Sequence, residues 1–184
     1  MRASVLVAVA SRHGATREIA EAVGASLRRS GLEATVIDLD EAPDRPIDVA
    51  DHDAVVLGSA IYMGRWRRSA RDFVEAHRSA LAARPLWLFS SGPLGDPPEP
   101  AEDHAVELDD LIADLMPYEH RIFTGRLDRA ALGVREKAVV RIVKAPEGDF
   151  RDWDEIFDWA RSITEALRGD AVEGRPGGLS DGAT

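Results

Sequence analysis

The stretch Ser4–Ala10 (SVLVAVA) and the segment directly after it, Ser11–Thr16 (SRHGAT), decide the fold. The first is a continuous apolar run, rich in Val and without polar alternation. Such a run is typical of a parallel strand that is covered by helices on both faces. The second contains hydroxyl groups and a glycine, and Ile19, Val23 and Leu27 follow it at helical spacing. We therefore expect a buried strand, a loop and a helix in this order.

The rest of the chain repeats this alternation. The further strand candidates are Glu33–Leu39, Asp53–Ala60, Pro85–Ser91 and His120–Gly125. Helical patterns lie between them. This order fits a parallel sheet, because neighbouring parallel strands need crossover helices, which then cover the sheet. The pairs Ser69 with Asp72 and Asp152 with Glu155 are interpreted as helix starts. The alternation predicts a doubly wound parallel α/β sheet.

Composition bounds the function of this chain of 184 residues. The formal net charge of −10 disfavours nucleic acid as a partner. With no cysteine there is no disulfide, thiolate zinc site or thiol nucleophile, and a cytoplasmic location is expected. The five histidines show no metal-ligand spacing. The first apolar run is too short to span a membrane and lacks a signal-peptide cleavage pattern. We expect one domain over 1–168 and a flexible, glycine-rich tail over 169–184.

In a doubly wound sheet, ligands bind beyond the carboxyl ends of the strands. The loop Ser11–Thr16 lies there, where the N–H groups of the following helix favour an anion such as a phosphate monoester. It is neither the three-glycine dinucleotide fingerprint nor a P-loop. The alternative is that its Ser, Gly and Thr are ordinary turn and cap residues.

Three motifs together carry a family resemblance. They are the loop 11–16, the segment Gly58–Trp66 (GSAIYMGRW) after the third strand, and Gly148–Trp153 (GDFRDW) before the last helix. In this order the chain resembles the flavodoxin superfamily, in particular the branch with the menaquinone-dependent protoporphyrinogen oxidases. The resemblance covers residues 3–168 and implies a five-stranded sheet in the order 2-1-3-4-5. It also implies FMN as the cofactor.

The resemblance assigns the FMN phosphate to the first loop, through Ser11, Arg12, His13, Gly14, Ala15 and Thr16. Common flavodoxins have Thr at the position of His13, so the phosphate is expected to be held by one hydroxyl fewer and by an imidazole. The resemblance assigns the flavin ring to the loops after the third and fourth strands, with Tyr62 and Trp66 as stacking candidates. Backbone contacts are expected from Ser59, Ala60, Ile61, Met63, Gly64, Ser91, Gly92 and Gly95. The alternative for Trp66 is that it anchors the next helix.

The implied function is an FMN-dependent oxidoreductase that passes electrons from a reduced substrate, such as a porphyrinogen, to a quinone or a protein acceptor. Two alternatives stay open. One is a single-electron carrier that serves a redox protein partner and has no substrate of its own. The other is an interaction module that has lost its flavin.

Three charged segments bear on partners. Four arginines (Arg65, Arg67, Arg68 and Arg71) cluster where a helix dipole disfavours cations, so either they bind a carboxylate or they form a solvated turn. The segment 96–114 has eight acidic and no basic residues, which either steer a redox partner or form a solvated face. The basic helix predicted within Val134–Lys144 either packs on the sheet or contacts a membrane surface peripherally.

Overall fold

Strands and helices alternate through the residues that the computed structural model describes, which are 2–41, 48–62, 64–92, 105–127 and 147–173. The strands are β1 (Ser4–Ala10), β2 (Glu33–Asp38), β3 (Ala54–Tyr62), β4 (Arg65–Trp66), β5 (Leu86–Ser91), β6 (Glu119–Phe123), β7 (Arg126–Leu127) and β8 (Gly148–Asp149). The helices are α1 (Ala15–Arg29), α2 (Arg68–Ala82), α3 (Ala105–Ile112) and α4 (Trp153–Glu173), and a 3-10 turn covers Val49–Asp51.

The main sheet has the parallel order β2-β1-β3-β5-β6, which confirms the predicted fold and strand order. The short strand β4 adds an antiparallel pair to β3, and β7 pairs with β8 in a separate ladder. Ala10 is opposite Ser59, and Ser59 is opposite Ser90. This register aligns the carboxyl ends of the three central strands, so their loops meet at one edge.

The strands β1, β3 and β5 separate two hydrophobic cores. Val5, Val7 and Val9 face α1 and α4, whereas Leu6 and Ala8 face α2 and α3. These five side chains are at most 1% exposed, in agreement with the absence of polar alternation in the sequence. An apolar residue at every position is what a strand buried on both faces requires.

Two helix starts were predicted, and one is confirmed. The backbone N–H of Glu155 donates to Asp152 Oδ1 over 3.0 Å, so Asp152 caps α4. The capping box at Ser69 is wrong, because α2 begins at Arg68 and Arg67 occupies the cap position without a side-chain cap bond. Ser69 Oγ donates instead to Asp40 Oδ1 over 2.9 Å. The Ser69 hydroxyl therefore binds the carboxylate of Asp40 in the neighbouring loop and does not cap the helix.

Strand ends differ from prediction by up to two residues, for physical reasons. β3 continues to Tyr62 because Ile61 and Tyr62 pair with β4. β6 ends at Phe123, since the carbonyl of Gly125 turns to accept the N–H of Phe150 over 3.1 Å.

The last helix continues past Arg168 to Glu173, into the segment that the sequence assigns to a tail. Residues 174–184 lie outside the described residues, as do the basic segment Val134–Lys144 and the first part, 96–104, of the acidic segment 96–114. Within the described ranges, no helix combines the length and apolar character that crossing a bilayer requires.

Candidate cofactor site

The loop between β1 and α1 forms a cradle at the carboxyl edge of the sheet. Gly14 is the N-terminal cap of α1, in the left-handed conformation (φ 83°), and no side chain caps the helix. The first intrahelical bond runs from the N–H of Glu18 to the carbonyl of Gly14 over 2.9 Å. The N–H groups of the first turn before Glu18 therefore have no partner within the helix. They are available to an anion.

Ser11 supplies a buried hydroxyl to this cradle. The residue is only 7% exposed, and its Oγ has no hydrogen-bond partner within the described part of the chain. Leaving a buried hydroxyl unpaired costs about 1–3 kcal/mol. Thr16, the second residue of α1, is 3% exposed. Arg12 and His13 are exposed at the rim of the loop.

Asp40, directly after β2, connects the cradle to the start of α2. Its carboxylate accepts two bonds from Arg67, from Nε to Oδ2 over 2.8 Å and from Nη2 to Oδ1 over 2.9 Å. It also accepts the hydroxyl of Ser69 over 2.9 Å, and the nearby backbone N–H of Ser11 helps to lower its pKa. Burial alone would raise the pKa of Asp40, but the bonds from Arg67 and Ser69 outweigh it and lower the pKa below its usual value.

The loop after β3 is held by Ser59. The N–H of Arg67 donates to Ser59 Oγ over 2.9 Å, and that hydroxyl donates to the carbonyl of Ala60 over 2.9 Å. Ser59 is fully buried, while Ala60 and Ile61 are half-buried at the edge. Gly64 turns the chain back at φ 79°. Met63 and the side chain of Tyr62 lie outside the described residues.

The indole N–H of Trp66 binds the side chain of a residue in β5. Trp66 is 6% exposed, and its Nε1 donates to Ser90 Oγ over 2.8 Å. Ser90 Oγ in turn lies 2.8 Å from Nε2 of His120, whose ring meets the indole edge-on at 6.3 Å. Trp66 thus anchors the start of α2 against β5 and β6, which was the alternative interpretation. We remove it from the stacking candidates, because a flavin needs an accessible ring face.

The loop after β5 is closely packed where it leaves the sheet. Ser91 is 3% exposed, and the N–H of Gly92 donates to the carbonyl of Phe123 over 3.4 Å. A Cβ at Gly92 would lie 3.1 Å from both Cβ and the carbonyl oxygen of Ile61, so the position has little room for a side chain. Since its N–H is already used, a contact from Gly92 to a ligand would have to come from its carbonyl group. Gly95 lies outside the described residues.

Comparison with known proteins identifies the family. The family model described as a flavodoxin domain matches residues 6–154. The chain belongs to the flavodoxin family. Two solved flavodoxins share the fold. One is from the domain Archaea, with a TM-score of 0.57 and 14% identity over 90% of this chain and 99% of the other. The second is flavodoxin 1 from Bacillus cereus, with a TM-score of 0.59 and 16% identity over 88% of this chain and 97% of the other.

Among curated proteins, the chain is similar to protoporphyrinogen IX dehydrogenase (quinone) from Escherichia coli strain K12. The two are 21% identical over 170 residues, which cover 86% of this chain and 93% of the relative. The similarity therefore extends along nearly the whole of both chains.

FMN is the cofactor of the flavodoxin family, and the cradle fits its phosphate. Among the described residues, the buried Oγ of Ser11 has no partner, no side chain caps the N-terminus of α1, and no atom lies within 4 Å of a Cβ built on Gly14. Each feature is one that a phosphate monoester would use. Among the described residues, no cluster of His, Asp or Glu side chains is suited to a metal ion.

The sequence analysis missed Asp40 and did not foresee the use of the arginine cluster. Arg67 binds a carboxylate within the chain itself, and Arg68 lies 3.4 Å from Asp72 in a largely exposed pair. Arg71 has a buried Nε without a partner in the described residues. The available signal for Asp40 was an acidic residue one position beyond the end of the second strand, at the edge where ligands bind.

Proposed function

We propose that this flavodoxin-family protein is an FMN-dependent oxidoreductase of the protoporphyrinogen oxidase type. It would take electrons from a reduced substrate, such as a porphyrinogen, and pass them to a quinone or a protein acceptor. The observation that carries the proposal is the match of 170 residues with a protoporphyrinogen IX dehydrogenase, 93% of whose length is covered. FMN, when bound, would supply the redox chemistry, since the chain has no thiol of its own.

The residues of the cradle have defined roles in this proposal. Ser11 would donate its hydroxyl to the phosphate, together with the N–H groups of His13, Gly14, Ala15 and Thr16. Thr16 would add its hydroxyl from the first turn of α1. The exposed Arg12 and His13 would add charge at the rim, where a cation favours a dianion.

The flavin ring would lie between the loops after β3 and β5. Tyr62 would stack on it, and the backbone of Ser59, Ala60, Ile61, Met63 and Gly64 would contact the ring edge. Ser91, Gly92 and Gly95 would do so from the other loop. Support for this placement comes from the register that aligns Ser59 with Ser90 at one edge of the sheet.

The decisive assay compares the purified FMN-loaded protein with free FMN at the same concentration. Protoporphyrinogen IX is the substrate and menaquinone the acceptor. We expect saturable turnover that exceeds the rate with free FMN, and loss of that excess in a Ser11→Ala, Thr16→Ala variant that releases FMN. A rate no greater than that of free FMN, with menaquinone and with a protein acceptor, would reject the enzyme proposal.

A single-electron carrier is the second candidate. The acidic segment 96–114, which follows the loop assigned to the flavin ring, favours it, because acidic surface steers basic redox proteins. A carrier would retain FMN and exchange electrons with a reductase while showing no porphyrinogen turnover. The same assay therefore distinguishes the two candidates.

A quinone acceptor implies contact with a membrane surface, and we infer that Val134–Lys144 provides it. The segment 121–144 carries seven basic and two acidic residues in an otherwise acidic chain, and basic residues attract anionic lipid. Co-sedimentation with vesicles of anionic lipid tests this. We expect the wild type to bind the vesicles, and a variant with Lys137, Arg141 and Lys144 changed to Glu to bind them less. Equal sedimentation of the wild type and this variant would reject the contact.

A further inference from the structure

Four charged side chains form a compact network against the first turn of α1. They are Glu18 in α1, Arg126 in β7, Asp149 in β8 and Arg151 before α4. The two arginines and two carboxylates carry equal and opposite charge. They come from three regions that are far apart in sequence, and they meet beside the cradle of Ser11–Thr16.

Arg151 is the centre of this network. Its side chain is only 2% exposed, and it binds Asp149 through two bonds, Nε to Oδ1 over 2.8 Å and Nη2 to Oδ2 over 2.6 Å. Its remaining nitrogen, Nη1, donates to Glu18 Oε2 over 2.7 Å and to the carbonyl of Ala15 over 3.1 Å. The guanidinium also lies 4.5 Å from the centre of the Trp153 ring. Arg151 therefore fixes the first turn of α1 by binding both a backbone carbonyl, that of Ala15, and a side chain, that of Glu18.

Arg126 completes the neutralisation of Glu18. Its two terminal nitrogens each lie 3.0 Å from a carboxylate oxygen of Glu18, Nη1 from Oε2 and Nη2 from Oε1. Burial raises the pKa of Glu18, but Arg151 and Arg126 outweigh this and lower it, so the carboxylate is ionised at neutral pH. Both of its oxygens are bound by guanidinium groups.

This arrangement solves an electrostatic conflict. An acidic residue in the first turn stabilises a helix, but here the same N-terminus is the place for a phosphate dianion. Like charges so close together disfavour each other unless a cation compensates one of them. Glu18 with two guanidinium partners stabilises the helix without leaving a free negative charge next to the ligand.

We propose that Arg126 and Arg151 are positioning residues that neutralise Glu18 and fix the first turn of α1, and so set the preference for FMN over flavins without a phosphate. This proposal rests on the assignment of the FMN phosphate to the cradle. It assigns no contact between either arginine and the phosphate. Its consequence is that flavin selectivity depends on residues outside the cradle itself.

Titration of the apoprotein with FMN and with riboflavin, followed by flavin fluorescence, tests the proposal without any assay of turnover. We expect Arg126→Gln to weaken FMN binding about tenfold, because it leaves a net negative charge next to the phosphate at the helix N-terminus. Glu18→Gln should tighten FMN binding several-fold. The double variant should return close to wild type, and riboflavin affinity should change less than about twofold throughout, by the usual independence of distant groups.

Arg29→Gln is the matched control. It removes the same charge from an exposed position at the other end of α1, roughly 16 Å from Glu18 along the helix axis. We expect FMN affinity to stay at the wild-type value. Thermal unfolding of each variant verifies that it is folded, and Arg126, which is 30% exposed, is the safer position than the buried Arg151.

Three outcomes would overturn the proposal and are distinguishable from one another. If the wild type prefers FMN over riboflavin but the variants keep that preference, the network has only a structural role. If the wild type binds both flavins equally, the cradle does not hold the phosphate. If it binds neither, the flavin-based function fails as well.

Discussion

The carboxylate of Asp40 and the guanidinium of Arg67 form a two-bond ion pair, 2.8 Å and 2.9 Å long, across the carboxyl edge of the sheet. The backbone N–H of Ser11 lies near Asp40 and helps to lower its pKa, so the ion pair lies between the loop after β1 and the start of α2. It accounts for an arginine at the N-terminal cap of a helix, where a free cation is unfavourable. The loop after β2 and the start of α2 are thus held together by the protein's own charges.

Asp40→Asn removes the charge of this link while keeping the size of the side chain. We expect it to lower the free energy of unfolding by about 1–2 kcal/mol, in the range for a hydrogen bond to a charged group. Urea unfolding measures the effect. Asp72→Asn is the control, since its pair with Arg68 is 85% and 61% exposed and should contribute almost nothing.

The effect of Asp40→Asn should depend on pH. The pKa of Asp40 is lowered in the folded protein, so its contribution to stability is complete above the unfolded pKa of about 3.9 and is lost as the pH falls through the lower folded pKa. The difference in unfolding free energy between wild type and variant should therefore be constant from pH 7 to about 5 and shrink below about 4. A difference that stays the same down to pH 3 would show that the Asp40 charge is not responsible.

Gly58 and Gly169 give opposite predictions for the same substitution. A Cβ at Gly58 would lie 2.0 Å from the ring of Phe89, so Gly58→Ala should destabilise the protein by at least about 2 kcal/mol through overpacking. Gly169 lies in α4 with nothing within 4 Å of an added Cβ. Gly169→Ala should stabilise the protein by about 0.5–1 kcal/mol through helix propensity. No change at Gly169 would favour the flexible tail that the sequence indicates.

Two aromatic substitutions separate anchoring from stacking. Trp66→Phe keeps a ring in the core but loses the bond from Nε1 to Ser90, so it should cost about 1 kcal/mol of stability and leave flavin affinity unchanged. Tyr62→Ala should weaken FMN and riboflavin about tenfold, in line with the value of aromatic contacts. Far-UV circular dichroism verifies the fold of both. An unchanged affinity in Tyr62→Ala would reject Tyr62 as the stacking residue.

The main strands and the first helix could be predicted because their signal is local. Ser4–Ala10 is apolar at every position, and Ile19, Val23 and Leu27 repeat at helical spacing, so burial alone determines both elements. The short strands were not predictable in this way. β4 and β7 have two residues each, too few for a periodic pattern. A turn at Gly64 brings β4 beside β3, and β7 pairs with β8, which is distant in sequence.

The contacts that shape the site could not be predicted from the sequence, because they join distant residues. Arg151 and Glu18 are 133 positions apart, and Asp40 and Arg67 are 27 apart. Trp66 was an equal candidate for stacking and for anchoring until its burial was known. The loop Ser11–Thr16 was identified because strand, loop and helix follow one another directly.

The most direct test of the central claim is a titration of the apoprotein with FMN, for the wild type and for a Ser11→Ala, Thr16→Ala double variant, with riboflavin in parallel. We predict saturable FMN binding by the wild type that weakens on the order of a hundredfold in the variant, as expected for lost bonds to a charged group, while riboflavin affinity stays the same. Equal FMN affinity of the two proteins, or a wild type that binds no flavin, would contradict the account.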